Sequence, residues 1–198
     1  MRPLMTRFLT RWVCFPPLLI PVLLISGLLT AGLLVSVKNT IRPAGIIIHH
    51  STLPPTPDTV GFDLSWLNAV HKQRGWGAFY WGKVYHVGYH YVILPDGTVQ
   101  VGRPEHMHGS HSQGHNHYIG ICLIGDFSSR DNPTGERGPI APTQAQMRSL
   151  EVLCRQLQAR YGFPVERVNL HREVNAYTEC PGDRFPAEDF QRLWPQRQ

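Results

Sequence analysis

Two histidines and one cysteine are placed where folding could bring them to one site. His49 ends an apolar run, 45–50, that has the pattern of a buried strand; His171 ends a second short strand, and Cys180 follows it. Two imidazoles and a thiolate leave one position of a tetrahedral zinc ion open, which is the donor set of a catalytic zinc site. Spacing alone leaves a second interpretation open, because no short ligand pair such as Cys-x-x-Cys is present. The same residues could be core histidines and a buried thiol.

Other chemistry-bearing motifs are absent from the sequence. There is no phosphate loop, no dinucleotide-binding fingerprint and no nucleophile elbow. The four cysteines are too few and too scattered for a disulfide scaffold. Cys122 lies in a predicted strand and Cys154 on the apolar face of a predicted helix, which is typical of buried thiols. Histidine placement is therefore the main chemical signal.

Strands and helices alternate irregularly through residues 45–198, and the turn Pro95-Asp96-Gly97 joins two of the strands into a hairpin. The predicted strands are 45–50, 85–94, 98–101, 119–124 and 168–171. The predicted helices are 62–74, 144–161 and 187–194. This order predicts an α/β fold, a single domain with a mixed central β-sheet flanked by helices.

The clearest helical signal covers residues 144–161. Thr143 and Gln146 form a capping-box pair at its start, and Gly162 ends it. One face carries an apolar stripe at helical spacing: Met147, Leu150, Cys154, Leu157 and Tyr161. We expect this face to pack on the sheet.

An uncharged segment, 13–37, precedes the domain. Its last part, 18–37, would span roughly 30 Å as a helix, enough to cross a bilayer core. A cleaved signal peptide has a shorter apolar stretch and a small-x-small exit, and Ser36-Val37-Lys38 fits that exit poorly. We therefore expect an N-terminal transmembrane signal anchor, with cleavage as the alternative. The predicted organisation is a basic N-terminus (1–12), the anchor (13–37), a linker (38–44) and a single folded domain (45–198).

The net charge of the chain comes entirely from the N-terminal segment. The chain has 19 Lys and Arg against 14 Asp and Glu, a net charge of +5. Residues 1–43 hold five basic residues and no acidic one, so the domain itself is neutral and nucleic acid is not an expected partner. Three arginines precede the apolar segment, whereas Lys38 and Arg42 follow it. The positive-inside rule then places the N-terminus in the cytoplasm and the domain in the periplasm, or outside the cytoplasm more generally.

Several sequence blocks resemble one known family in their order along the chain. They are Ile-Ile-Ile-His-His-Ser (46–51), His-Lys-Gln-Arg-Gly-Trp (71–76), Val-Gly-Tyr-His-Tyr-Val-Ile-Leu-Pro-Asp-Gly-Thr (87–98), Gly-Ser-His (109–111), His-Asn-His (115–117), Ile-Gly-Ile-Cys-Leu-Ile-Gly (119–125), Leu-His-Arg-Glu-Val (170–174) and Thr-Glu-Cys-Pro-Gly-Asp (178–183). This chain resembles the zinc N-acetylmuramoyl-L-alanine amidases, which include phage amidase-lysozymes and peptidoglycan recognition proteins. The resemblance runs over nearly the whole domain.

The resemblance implies a single Zn²⁺ ion per domain, held by His49, His171 and Cys180. Adjacent strand residues point to opposite faces of a sheet, so only one of His49 and His50 can face the metal. The family pattern selects His49, which leaves His50 as a neighbour on the other face.

Two further residues match active-site positions of the family. Tyr89 matches its active-site tyrosine, and Thr178 matches a position held by Lys or Thr. The stretch between His171 and Cys180 is one residue longer than the commonest family spacing, and the extra residue lies within 175–177. The implied mechanism uses zinc to lower the pKa of bound water to about 7. The resulting hydroxide attacks an amide carbonyl, with Tyr89 stabilising the oxyanion and Thr178 adding a hydrogen bond.

The implied substrate is the amide between the lactyl group of N-acetylmuramic acid and L-alanine, in peptidoglycan or in muropeptides. A loop with five histidines in twelve residues, 106–117, then becomes a candidate groove wall, with His111 and Asn116 near the glycopeptide. A metal-binding tract and a plain polar loop are the alternatives.

A non-catalytic binder of the same fold is the competing class. Such relatives typically lack the cysteine ligand, so Cys180 together with Tyr89 favours the enzyme. A zinc peptidase acting elsewhere on the stem peptide is a third option. We expect a monomer that contacts the membrane through its N-terminal helix.

Overall fold

The computed structural model describes residues 40–53 and 61–193. In chain order the elements are β1 (Ile46–His50), α1 (Leu64–Gln73), β2 (Ala78–Tyr80), β3 (Lys83–Tyr85), β4 (Tyr91–Ile93), β5 (Val99–Val101), β6 (Ile119–Leu123), α2 (Gln144–Tyr161), β7 (Val168–Leu170), α3 (His171–Val174) and α4 (Ala187–Leu193). A 3₁₀ turn, Val165–Arg167, precedes β7.

Five strands form a mixed sheet in the order β5-β4-β6-β1-β7. β1 lies between β6 and β7 and runs parallel to both, β4 is parallel to β6, and β5 is antiparallel at the edge. The predicted α/β class with a mixed central sheet is confirmed, as is the β4–β5 hairpin. β2 and β3 form a separate antiparallel pair.

Two hydrophobic clusters cover the two faces of the sheet. The larger one packs alternate residues of the central strands, such as Ile48 and Leu123, against the apolar face of α2 and against Phe190 of α4. The smaller one joins Cys122 of β6 to Leu67 of α1. Side chains alternate along a strand, so the last two residues of β1, His49 and His50, are directed to opposite faces of the sheet.

Helix α2 begins and ends where its sequence predicts. The Thr143 hydroxyl accepts the Gln146 N–H at 3.0 Å, while the Thr143 N–H donates to the Gln146 side chain at 3.1 Å. Gly162 ends the helix in the left-handed region at φ 69°. The buried Gln146 amide also donates to the carbonyls of Ile93 and Ile124, at 3.1 and 3.0 Å, and so ties the helix start to the sheet.

The predicted strand 85–94 is wrong in its first half. Only Tyr91–Ile93 pairs in the sheet, whereas Lys83–Tyr85 belongs to the small hairpin. The residues between them bond to a loop: the Ser110 N–H donates to the Gly88 carbonyl at 2.9 Å, and the Arg103 N–H donates to the Tyr89 carbonyl at 3.0 Å. A Cβ on Gly88 would lie 2.3 Å from the Ser110 carbonyl oxygen, so this close approach requires glycine. Tertiary contacts therefore replace strand pairing here.

Within the described residues, no helix combines the length and the apolar character that a membrane span requires. The transmembrane anchor predicted for residues 13–37 lies outside the described residues, and so does Trp194 at the end of the last predicted helix.

Candidate metal centre

The carboxyl ends of β1 and β7 bring the two predicted histidine ligands side by side. Ile48 lies opposite Leu170 in the parallel register, so the residues that follow them, His49 in β1 and His171 just after β7, meet at the sheet edge. Their ring centroids are 4.3 Å apart. His171 begins α3 instead of continuing the strand, which turns its ring toward His49.

Cys180 reaches the same point from the loop that follows α3. Its sulfur lies 3.7 Å from Nδ1 of His49. The loop is held in place by the Arg172 N–H, which donates to the Cys180 carbonyl at 2.9 Å, and by the Arg172 guanidinium, which donates to the Gly182 carbonyl at 2.8 Å. The arginine next to one ligand therefore fixes the loop that carries another.

The geometry of these three residues fits a tetrahedral metal ion. Their ligating atoms all lie within 4.8 Å of one another. Sulfur and nitrogen ligands of one tetrahedral zinc are expected about 3.5 Å apart, close to the distance between Cys180 and His49. In addition, the Nε2 atom of His171 is buried and has no hydrogen-bond partner among the described residues. A buried nitrogen without a hydrogen-bond partner is explained if it binds a metal ion.

Burial controls the protonation of the same groups. It lowers the pKa of His49 well below 6.5, helped by neighbouring imidazoles, and it also lowers the pKa of His171. Both rings are thus neutral at pH 7, the form that binds metals. Burial raises the pKa of the Cys180 thiol to about 12. A thiolate there requires a cation beside it, as a zinc ligand would have.

His50 lies on the opposite face of β1 from His49. Its Nδ1 accepts the Phe127 N–H at 3.0 Å and lies 3.7 Å from a carboxylate oxygen of Asp126. Burial lowers the pKa of His50 to about 4, so the ring is a neutral acceptor inside the fold. This is the placement expected for a neighbour that does not bind the metal.

Tyr89 lies against the candidate metal centre. Its ring centroid is 5.2 Å from that of His49. Burial, with smaller contributions from the Cys122 and Cys180 thiols, raises the pKa of Tyr89 well above 10. The hydroxyl therefore stays protonated at neutral pH and can donate a hydrogen bond.

Thr178 holds the loop around Cys180. Its hydroxyl oxygen accepts the Cys180 N–H at 3.1 Å. The extra residue of this loop is taken up in a turn, in which the Asn175 side chain accepts the Tyr177 N–H at 3.0 Å and the Tyr177 side chain is 99% exposed. The extra residue thus forms a bulge that extends into solvent. The Thr178 hydroxyl keeps its hydrogen bond with the Cys180 backbone.

A polar cleft of about 390 Å³ opens beside Cys180. Its lining combines hydroxyl, carboxylate and guanidinium groups: Thr52, Ser128, Arg130, Asp131, Thr178 and Glu179. The cleft gives a polar, extended molecule access to Cys180, the one predicted ligand in its lining.

His111 and Asn116, predicted as groove residues, lie behind the metal centre. His111 Nδ1 is 3.0 Å from His49 Nε2. The Asn116 side chain accepts the backbone N–H groups of His111 and Ser112, at 2.9 and 3.1 Å. Both residues therefore have contacts within the protein, and a contact with the glycopeptide stays a prediction.

Two buried histidines near Tyr89 were not singled out from the sequence. His71 accepts the Gly88 N–H at 3.0 Å, and its ring lies 5.7 Å from that of Tyr89. His90 bonds the Met107 carbonyl at 2.8 Å through Nε2 and accepts the Gly120 N–H at 2.9 Å through Nδ1. His71 shares an apolar helix face with Leu67, and His90 adjoins a buried strand. In the sequence, these two positions are the features that indicate burial of His71 and His90.

The histidine-rich loop 106–117 supplies no ligand to a metal cluster in the described part of the chain. There, His49, His171 and Cys180 form the one group of three or more histidine, cysteine or acidic residues with suitably close ligand atoms. The alternative of a metal-binding tract in this loop gains no support.

Comparisons with known proteins give the same family as the sequence blocks. The family model described as N-acetylmuramoyl-L-alanine amidase matches residues 39–183. The endolysin of Escherichia phage T7 is 36% identical over 150 residues, which cover 75% of this chain and 83% of the phage protein.

Solved structures extend the comparison to the fold. The N-acetylmuramoyl-L-alanine amidase LysC from Clostridium intestinale matches with a TM-score of 0.61 and 32% identity, covering 79% of this chain and 88% of its own. A Drosophila PGRP-LB variant in complex with tracheal cytotoxin matches with a TM-score of 0.58 and 26% identity, covering 81% and 86%.

Proposed function

Since this chain belongs to the N-acetylmuramoyl-L-alanine amidase family and is an amidase, we propose that it cleaves the bond between N-acetylmuramic acid and L-alanine with zinc held by His49, His171 and Cys180. The convergence of these three donors at one sheet edge carries the proposal. Its biological role would be degradation or remodelling of the cell wall.

The residues around the centre have separate tasks in this reaction. Bound zinc supplies Lewis acidity and lowers the pKa of a water molecule to about 7. The protonated Tyr89 hydroxyl donates a hydrogen bond to the oxyanion that forms as the amide carbonyl becomes tetrahedral. Thr178 orients the Cys180 backbone, and the buried position of His49 keeps bulk water from its ring.

The substrate class is polymeric peptidoglycan or its muropeptide fragments. The cleft beside Cys180 is polar and bears both charges, which suits a glycopeptide with carboxylate, amide and hydroxyl groups. The likeness to a PGRP-LB variant in complex with tracheal cytotoxin supports the same class.

We also propose that residues 13–37 anchor the enzyme in a membrane, with the amidase domain outside the cytoplasm. The uncharged apolar stretch and the positive-inside bias support this topology. An alkaline phosphatase fused to the C-terminus should be active in a bacterial host, since that enzyme folds only outside the cytoplasm. An inactive fusion, or full-length protein found only in the cytosolic fraction, contradicts the topology.

Mass spectrometry of digested peptidoglycan tests the reaction. The full-length protein should release stem peptides that begin with a free L-alanine amine and leave a free lactyl carboxyl on the glycan. A chelator should stop the release, and added zinc should restore it. Cleavage within the stem peptide would instead identify a peptidase.

A non-catalytic binder remains the contrasting outcome of the same experiment: peptidoglycan binding without peptide release. The complete donor set and the enzymes among the relatives disfavour it.

A further inference from the structure

His111 forms a hydrogen-bonded link between His49 and a backbone carbonyl. Its Nδ1 lies 3.0 Å from Nε2 of His49, and its own Nε2 lies 3.1 Å from the carbonyl oxygen of Tyr118. Both nitrogens of the ring are therefore engaged, one with a group that can only accept a hydrogen bond.

The Tyr118 carbonyl sets the donor and acceptor roles along the whole chain of hydrogen bonds. A carbonyl oxygen has no proton, so Nε2 of His111 must donate to Tyr118. The rings around His111 are those of His49, Tyr89 and His90. Among the described residues, no hydrogen bond or ion pair links His111 to a carboxylate that would stabilise a second proton on its ring. Its Nδ1 then carries a lone pair, and Nε2 of His49 must be the donor. This leaves the lone pair of His49 on Nδ1, the atom that lies 3.7 Å from the Cys180 sulfur.

We infer that His111 is a positioning residue: it holds His49 in the tautomer, and in the ring orientation, that presents the Nδ1 lone pair to zinc. The inference rests on the proposed function, since it assigns a task to His111 only if His49 binds a metal. It differs from the predicted substrate contact, which would require the ring to face the glycopeptide.

The fold fixes the His111 ring by packing as well as by hydrogen bonds. A Cβ on Gly109 would lie 2.3 Å from Cδ2 of His111, and one on Gly120 would lie 2.5 Å from the same atom. Both glycines leave the space that the ring fills. The Asn116 side chain accepts the backbone N–H of His111 at 2.9 Å and fixes the position of its Cα. The ring is thus held at its Cδ2 edge by two glycines, and both of its nitrogens have partners.

Partners that orient a metal-bound histidine typically change metal affinity by about 10- to 100-fold when they are removed. His111→Phe keeps a ring of similar size but removes the acceptor, so His49 is free to carry its proton on Nδ1, where it blocks the metal. We expect zinc affinity to fall by about 10- to 100-fold. His111→Asn places an oxygen near the position of Nδ1 and should restore most of the affinity.

The experiment measures the zinc dissociation constant of the full-length protein by competition with a chromophoric chelator. His108→Phe is the matched control, because it is the same substitution at an exposed histidine of the same loop. It should leave the affinity unchanged. If His111→Phe binds zinc as tightly as the wild type, the inference is wrong. If the wild type binds no zinc, the proposed metal function fails instead.

Long-range ¹H–¹⁵N spectra of histidine-labelled wild-type protein test the tautomer directly, and they decide the matter if His111→Phe does not fold. His49 should carry its proton on Nε2 before and after zinc is added. A proton on Nδ1 in the zinc-free protein would overturn the inference, whatever the affinities are.

Discussion

The Cys180 sulfur lies 3.7 Å from Nδ1 of His49, although 131 positions separate the two residues in the chain. β1 carries His49 to the carboxyl edge of the sheet, and the pairing of β1 with β7 places His171 beside it. Only then does the short loop after α3 bring Cys180 within reach. The candidate metal centre therefore depends on the strand order more than on any local motif.

Substitution of Cys180 by serine should abolish zinc binding and amide hydrolysis together. A serine hydroxyl stays protonated at neutral pH and is a poor zinc ligand, and two histidines alone hold the metal weakly. Because the hydrophobic clusters lie away from the ligands, the circular dichroism spectrum should be retained. Metal analysis and peptide release from peptidoglycan measure the two losses.

Cys154→Ala is the control for this variant. Cys154 lies on the buried face of α2, in the larger hydrophobic cluster, so its removal should lower stability without changing zinc content. Full zinc and full activity in Cys180→Ser would show that the ligand set is wrong.

Replacement of Tyr89 by phenylalanine should reduce turnover by roughly 10- to 1000-fold, the scale of losing an oxyanion donor or a proton-transfer group. Zinc content should not change, because the ring remains and only the hydroxyl is lost. Tyr91→Phe is the matched control, since the Tyr91 hydroxyl donates to Glu105 and not to the metal centre. Wild-type turnover in Tyr89→Phe would leave Tyr89 as a packing residue.

Thr178→Val should weaken zinc binding and lower kcat/KM by roughly tenfold, because the Cys180 N–H loses its acceptor at a cost of about 1–3 kcal/mol. Valine has nearly the same shape as threonine, so packing is preserved. Thr178→Ser keeps the hydroxyl and should behave like the wild type. Equal values for the valine and serine variants would remove this hydrogen bond from the function.

The free energy of unfolding should fall as the pH is lowered through the range in which His90 is protonated in the unfolded chain but neutral in the folded one. Burial lowers the pKa of His90 from 6.5 to about 4. The unfolded chain binds this proton first, so the stabilisation is complete above pH 6.5 and decreases toward pH 4. The expected loss from this residue is about 3 kcal/mol.

Urea unfolding near pH 7 and near pH 4 measures this effect. His90→Asn keeps an acceptor for the Gly120 N–H but cannot be protonated, so its free energy of unfolding should depend less on pH. Other buried histidines contribute equally to both proteins, and the difference isolates His90. Identical pH slopes would show that His90 does not titrate in this way.

Much of the architecture follows from local sequence pattern. Helix α2 is predicted to the residue, because the capping box at Thr143 and the left-handed Gly162 are local signals that need no distant partner. The buried strands β1 and β6 are predicted for a similar reason, since their apolar runs are nearly continuous. The small β2–β3 hairpin was missed because its cross-strand pair, Phe79 and Val84, is exposed and gives no core pattern.

The sequence by itself determined the fold class, the chemical types of the three donors and, through its blocks, the family. Strand alternation, a local property, showed that only one of His49 and His50 can face the metal, and the family blocks selected His49. Only the tertiary structure decided that His111 lies behind His49, that Thr178 bonds the Cys180 backbone and that the extra loop residue points into solvent. Each of these depends on the relative position of segments distant in the chain or on the course of an irregular loop. No periodic sequence pattern encodes the relative position of distant segments or the course of an irregular loop, because the packing of the whole domain sets both.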